Sequence, residues 1–114
     1  MKYSINYTKK FKKNLRLCQK RGYDMNLFEQ VSNLLETTGS LPSQYHPHRL
    51  SGKYAGLWEC HIQGDWLLIW SQDDTELILL FTDTGTHSDL FYIEKATSPL
   101  QEAAFLYLVF TFPG

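Results

Sequence analysis

The sequence predicts an α+β domain in which a strand and an α-hairpin precede a mostly antiparallel sheet. Three observations carry this. Tyr3, Ile5 and Tyr7 alternate with polar residues at the period of a strand. Two stretches between residues 8 and 39 then repeat apolar residues at three- and four-residue spacing, as helices with one buried stripe do. Three short apolar runs follow, at 57–63, 66–71 and 76–82, separated by turn-forming residues.

Each element has its own warrant. Thr8 is placed to cap a first helix running to about Arg21. Its stripe is Phe11, Leu15 and Cys18, with Leu17 at the edge and lysines over most of the remainder. Gly22 ends it, Asp24 opens a second helix, and Gly39 stops that one. Leu27, Phe28, Val31, Leu34 and Leu35 share one face of the second helix. Residues 40–56, with two prolines and two glycines, read as loop.

In the run 57–63, Trp58, Cys60 and Ile62 share a face, while Leu57, Glu59, His61 and Gln63 share the other. His61 is therefore expected to point away from the helices. Trp66 to Trp70 is apolar on both faces, as an inner strand is. Gln63-Gly64 and Asp73-Asp74 are the expected hairpin turns, and Gly85 marks another turn. Residues 1–96 read as one domain and residues 97–114 as an apolar tail broken by Pro99.

Composition narrows the function classes. A chain of 114 residues is one small domain, and 43% hydrophobic content argues against disorder. No apolar run approaches the ~18 residues of a membrane helix. The lysine-rich start has no apolar core of an export signal, and two cysteines are too few for a disulfide scaffold. A cytoplasmic protein with reduced thiols and no membrane contact is the expectation. Net charge is −1, yet residues 1–21 carry eight bases and no acid. Such a local surface suits an anionic partner, and it also suits a plain solvated helix face.

Four histidines, His46, His48, His61 and His87, lie in the middle and late chain with Glu59, Asp65 and Asp83. Three chemistries compete for them. A metal site from His61, Asp65, His87 and Cys60 lacks paired ligand spacing, and Cys60 faces the core while His61 faces out. A Cys60 nucleophile lacks any nucleophile elbow. Metal-free RNA cleavage needs a base for the 2′-hydroxyl, an acid for the 5′-oxygen and positive charge for the phosphorane. Histidines, a carboxylate and nearby Arg or Lys supply that set, with aromatics to stack on bases.

Four stretches are more specific: Leu41-Pro42 with His48-Arg49-Leu50-Ser51-Gly52, then Trp58-Glu59-Cys60-His61-Ile62, then Asp65-Trp66-Leu67-Leu68-Ile69-Trp70, then Thr84-Gly85-Thr86-His87-Ser88-Asp89-Leu90-Phe91. In that order they resemble the YafQ branch of the RelE toxins, over residues 1–92. The resemblance implies a RelE-like β-α-α-β-β-β fold. It implies a type II toxin that cuts mRNA in the ribosomal A site without a cofactor or metal. It implies a DinJ-like antitoxin partner, with operator DNA reached only through the antitoxin.

By position, the resemblance implies His48 as a base, His61 as a further acid/base or phosphate contact, Asp65 as the active-site aspartate, and His87 as the acid. Trp66 and Phe91 would contact substrate. Each has a plainer alternative: His48 ordering the loop, Asp65 shaping a turn, Trp66 and Phe91 packing in the core. The sequence departs from the pattern at Asp83, where the family has an arginine. Three readings follow. Arg49 or Lys53 supplies the missing charge, Asp83 orients a histidine, or cleavage is weak and the protein acts as an RNA- and antitoxin-binding module in operon autoregulation.

Overall fold

A computed structural model describes residues 2–91. The apolar tail expected at 97–114 lies outside the described residues. The order is β1 (Ser4–Tyr7), α1 (Lys9–Lys20), α2 (Met25–Thr38), β2 (His48–Arg49), β3 (Trp58–Gln63), β4 (Trp66–Asp73) and β5 (Ile78–Gly85). Among the described residues these strands form one five-stranded sheet in the order β1-β5-β4-β3-β2. Only β1 and β5 run parallel.

The fold class is the one the periodicities predict. Two features depart from it. His48 and Arg49 form a short strand inside the stretch expected to be loop, because their backbone pairs with Glu59 and Trp58. The last strand starts at Ile78 and runs past the expected end at 82 up to Gly85, where the turn is expected, and residues 87–91 are helical.

The helix ends follow local chemistry. The Thr8 hydroxyl accepts from the Phe11 N–H and donates to the Thr82 carbonyl, so one side chain both caps α1 and ties it to β5. Asp24 caps α2 through the Asn26 N–H. Gly39 closes α2 in the left-handed region, at φ 73°. A side chain there would meet the Tyr3 ring at 2.5 to 2.7 Å.

Both helices pack on one face of the sheet. Phe11, Cys18, Phe28, Val31 and Leu35 meet Cys60, Ile62, Trp66, Leu68, Trp70, Leu79 and Phe81. Phe11, Phe28 and Phe81 form an aromatic cluster at 5.6 to 6.0 Å, with Phe81 edge-to-face to both others and Phe11 tilted on Phe28. Burying such a side chain contributes about 1.5–3 kcal/mol before entropy is counted. β4 is buried throughout from Trp66 to Trp70, as an inner strand must be. Leu67 and Ile69 are buried on the face away from the helices, the face that Glu59 and His61 share. Among the described residues no helix is long and apolar enough to cross a membrane.

Candidate active site

Sheet register assembles the histidines. β2 pairs His48 opposite Glu59, so the imidazole lies over the carboxyl, Nε2 to Oε1 3.1 Å. Two residues on from Glu59, His61 occupies the same face. Its Nδ1 reaches the Gly64 carbonyl at 3.0 Å, across the turn between β3 and β4. That turn also carries Asp65, whose carboxylate holds both Nδ1 and the backbone N–H of His87.

Ring contacts join the set. His61 stands 6.1 Å from His87 and 5.5 Å from His46, centroid to centroid. Phe91 packs 6.0 Å from His87, and Tyr54 packs 5.3 Å from Phe91. Lys53 Nζ lies 5.7 Å from the Tyr54 ring centroid.

Hydrogen bonding fixes the tautomers. A carbonyl only accepts, so His61 donates Nδ1–H to Gly64 and keeps its Nε2 lone pair when neutral. His87 donates Nδ1–H to the Asp65 carboxylate. Nε2 of both rings lacks a hydrogen-bond partner among the described residues. His48 donates Nδ1–H to the His46 carbonyl at 2.9 Å. Its Nε2 would then set a lone pair against a carboxylate oxygen unless a proton lies between them. The His48–Glu59 pair therefore holds one proton, on the ring or on the carboxyl.

Glu59 is the deepest group of the cluster, its side chain 5% exposed. Burial pushes its carboxyl above the ordinary range, while His48, His87 and His61 pull the other way. Burial also pushes the Cys60 thiol up to about 12, which removes the thiolate a nucleophile would need. Among the described residues no group of three or more His, Cys, Asp or Glu is placed to hold a metal ion.

Of the residues expected at the site, His48, His61, Asp65, His87 and Phe91 come together, with Lys53 at the rim. Three do not, each for a structural reason. Trp66 is 4% exposed on the helix face, donating Nε1–H to Thr84 and tilted on Tyr23, so it is core and not a platform for a base. Arg49 alternates with His48 and lies over Trp58, 5.2 Å from its ring centroid, on the other side of the sheet. Asp83 faces α1, where it accepts from Asn14 at 2.6 Å and pairs with Lys10 at 3.2 Å. It orients no histidine.

Glu59 and His46, which the sequence groups with the other histidines without a role of their own, belong to the cluster, and so does Tyr54. For Glu59 the signal is present, since it shares a strand face with His61. His46 is drawn in by its backbone, which takes the left-handed region at φ 49° and turns the carbonyl to His48. Nothing local marks Tyr54.

Comparison with known proteins gives a consistent picture. Residues 3–92 match the family described as a bacterial toxin of type II toxin–antitoxin systems, YafQ. The mRNA interferase toxin YafQ of Escherichia coli K12 is 39% identical over 88 residues, 76% of this chain and 94% of that protein. The fold superposes on the E. coli DinJ–YafQ toxin–antitoxin complex with TM-score 0.72 at 36% identity, covering 80% of this chain and 99% of that one. A metal-bound toxin from Helicobacter pylori matches at TM-score 0.72 and 35% identity, covering 78% and 99%.

Proposed function

Because the chain belongs to the YafQ family of type II toxins, we propose that it is an mRNA endoribonuclease held in check by a small antitoxin. The reading extends to a ribosome-dependent, metal-free reaction in the cytoplasm, with operator DNA reached only through the antitoxin. The observation that carries the chemistry is the pair of imidazoles with open Nε2 atoms, His61 and His87, 6.1 Å apart between ring centroids.

In this reaction the 2′-oxygen of the substrate attacks phosphorus and the bond to the 5′-oxygen breaks. His61, with its lone pair at Nε2, takes the 2′-hydroxyl proton. His87, protonated at both nitrogens and held by Asp65, returns a proton to the 5′-oxygen. The products are a 2′,3′-cyclic phosphate and a 5′-hydroxyl. The His48–Glu59 pair keeps one proton beside the reacting phosphate. Lys53, at the rim, supplies positive charge for the phosphorane. Phe91 and Tyr54 offer faces on which a base stacks. The exposed lysines of α1 suit ribosomal RNA.

A second reading has one observation in its favour. Asp83 faces α1 and Arg49 lies over Trp58 on the other side of the sheet, so Arg49 adds no positive charge around the phosphate. The protein would then act chiefly as a binding module in operon autoregulation.

Induction in a bacterial host, with primer extension on a translated reporter, separates the two. Discrete in-frame cuts that vanish in His87→Ala are expected. Intact mRNA with folded wild-type protein would favour the binding module.

A further inference from the structure

Resting on the cleavage reading above, we propose that Arg21 and Asp89 are positioning residues for His87: an ion pair from the end of α1 sets the turn that carries the proton donor. The pair joins residues 68 positions apart in the chain. Arg21 grips Asp89 with both terminal nitrogens, at 2.6 and 3.1 Å. That two-point contact fixes direction as well as distance, which a single ammonium does not.

Asp89 does a second job. Its carboxylate accepts the Thr86 N–H at 2.9 Å, and the Thr86 hydroxyl accepts the Asp89 N–H at 3.1 Å. This reciprocal pair closes the turn in which His87 lies. Just before it, a side chain at Gly85 would meet the Asp89 carboxylate at 2.9 Å, so the strand end is packed on the same group. The Arg21 guanidinium holds the Asp89 carboxyl down at about 2, so the pair is charged at neutral pH.

His87 is thereby held from two sides. Asp65 grips it from the hairpin turn, yet Asp65 is itself 57% exposed. The Arg21–Asp89 pair anchors the turn to α1, which is packed on the core through Phe11 and Cys18. An exposed pair adds little to global stability. Its loss should therefore act locally, on the placement of His87.

The test uses the full chain with Arg21→Ala, Arg21→Lys and Asp89→Asn. The His87 ring resonances are followed by NMR against pH in the absence of RNA. Single-turnover cleavage of ribosome-bound mRNA gives the rate at saturation and the KM. Arg21→Ala and Asp89→Asn should shift the His87 resonances and their titration. They should lower the saturating rate by roughly ten-fold, as a small misplacement of a catalytic group does. Arg21→Lys should restore part of both.

Unchanged His87 resonances together with an unchanged rate would overturn the proposal. So would a rise in KM alone with the resonances unchanged, which would make Arg21 an RNA contact. Should the wild type cut no RNA, the cleavage reading falls, and the His87 spectra still decide the positioning role. Should Arg21→Ala fail to fold, Asp89→Asn carries the test, since its amide oxygen still accepts from Thr86.

Discussion

Glu59 is a carboxyl buried among three imidazoles, and its energetics can be read from pH. Burial raises its folded value above the ordinary 4.5. Its contribution to stability is therefore full below the unfolded value and is lost as pH rises through the folded one. Glu59→Gln removes that loss. The wild-type melting temperature should fall relative to the variant as pH climbs above 4.5, and parallel melting curves would argue against a strained carboxyl. The same variant should cut RNA more slowly, because His48 loses the carboxylate that it pairs with. Asp83 gives a prediction of the opposite kind. It accepts from Asn14 and faces Lys10, so Asp83→Arg sets two cations together and orphans an amide. A cost of about 1–3 kcal/mol is expected from denaturant melts, with no gain in cleavage. A gain in cleavage would mean that residue 83 swings to the histidine face when it is basic.

Elements, and not single residues, set the height of the site. α1 rests on β5 through Thr8, whose hydroxyl serves the helix and the sheet together. Thr8→Ala should cost about 1–2 kcal/mol in chemical denaturation, the upper part of the range for a cap. A value near zero would show that the Thr82 contact carries no weight. At the other end of β5, Gly85 adopts φ 150° with Asp89 packed against it. Gly85→Ala should displace the turn after β5 and reduce cleavage more than it reduces the melting temperature.

Across the whole molecule, the basic residues gather at one end of the chain and the histidines on the far face of the sheet. If α1 docks on ribosomal RNA, binding should weaken linearly in log salt. Each lysine contact removed should flatten the slope by roughly one unit, measured by titration at several salt concentrations. An unaltered slope in Lys12→Ala/Lys13→Ala would remove those lysines from the interface. Cys18 and Cys60 are free and buried, so both thiols should alkylate only through unfolding, at a rate that tracks stability across variants. Fast labelling of either in the native state would mean that the core opens locally.

The sequence by itself determined the two helices and their caps, the strands of the main sheet and the two faces of β3, but not the short strand at His48–Arg49. Those follow from local periodicity and from side chains bonding to backbone a few positions away. It also placed His61 and Glu59 on one side of a strand and marked β4 as an inner strand. Only the tertiary structure decided which groups meet. His48 pairs with Glu59 because β2 and β3 are in register, and Asp65 meets His87 because a hairpin turn and the end of β5 come together. Trp66, Arg49 and Asp83 left the site for the same reason. A side chain's partner depends on which strands and helices are neighbours, and that choice is made by burying one shared core across tens of residues, beyond the reach of any local pattern.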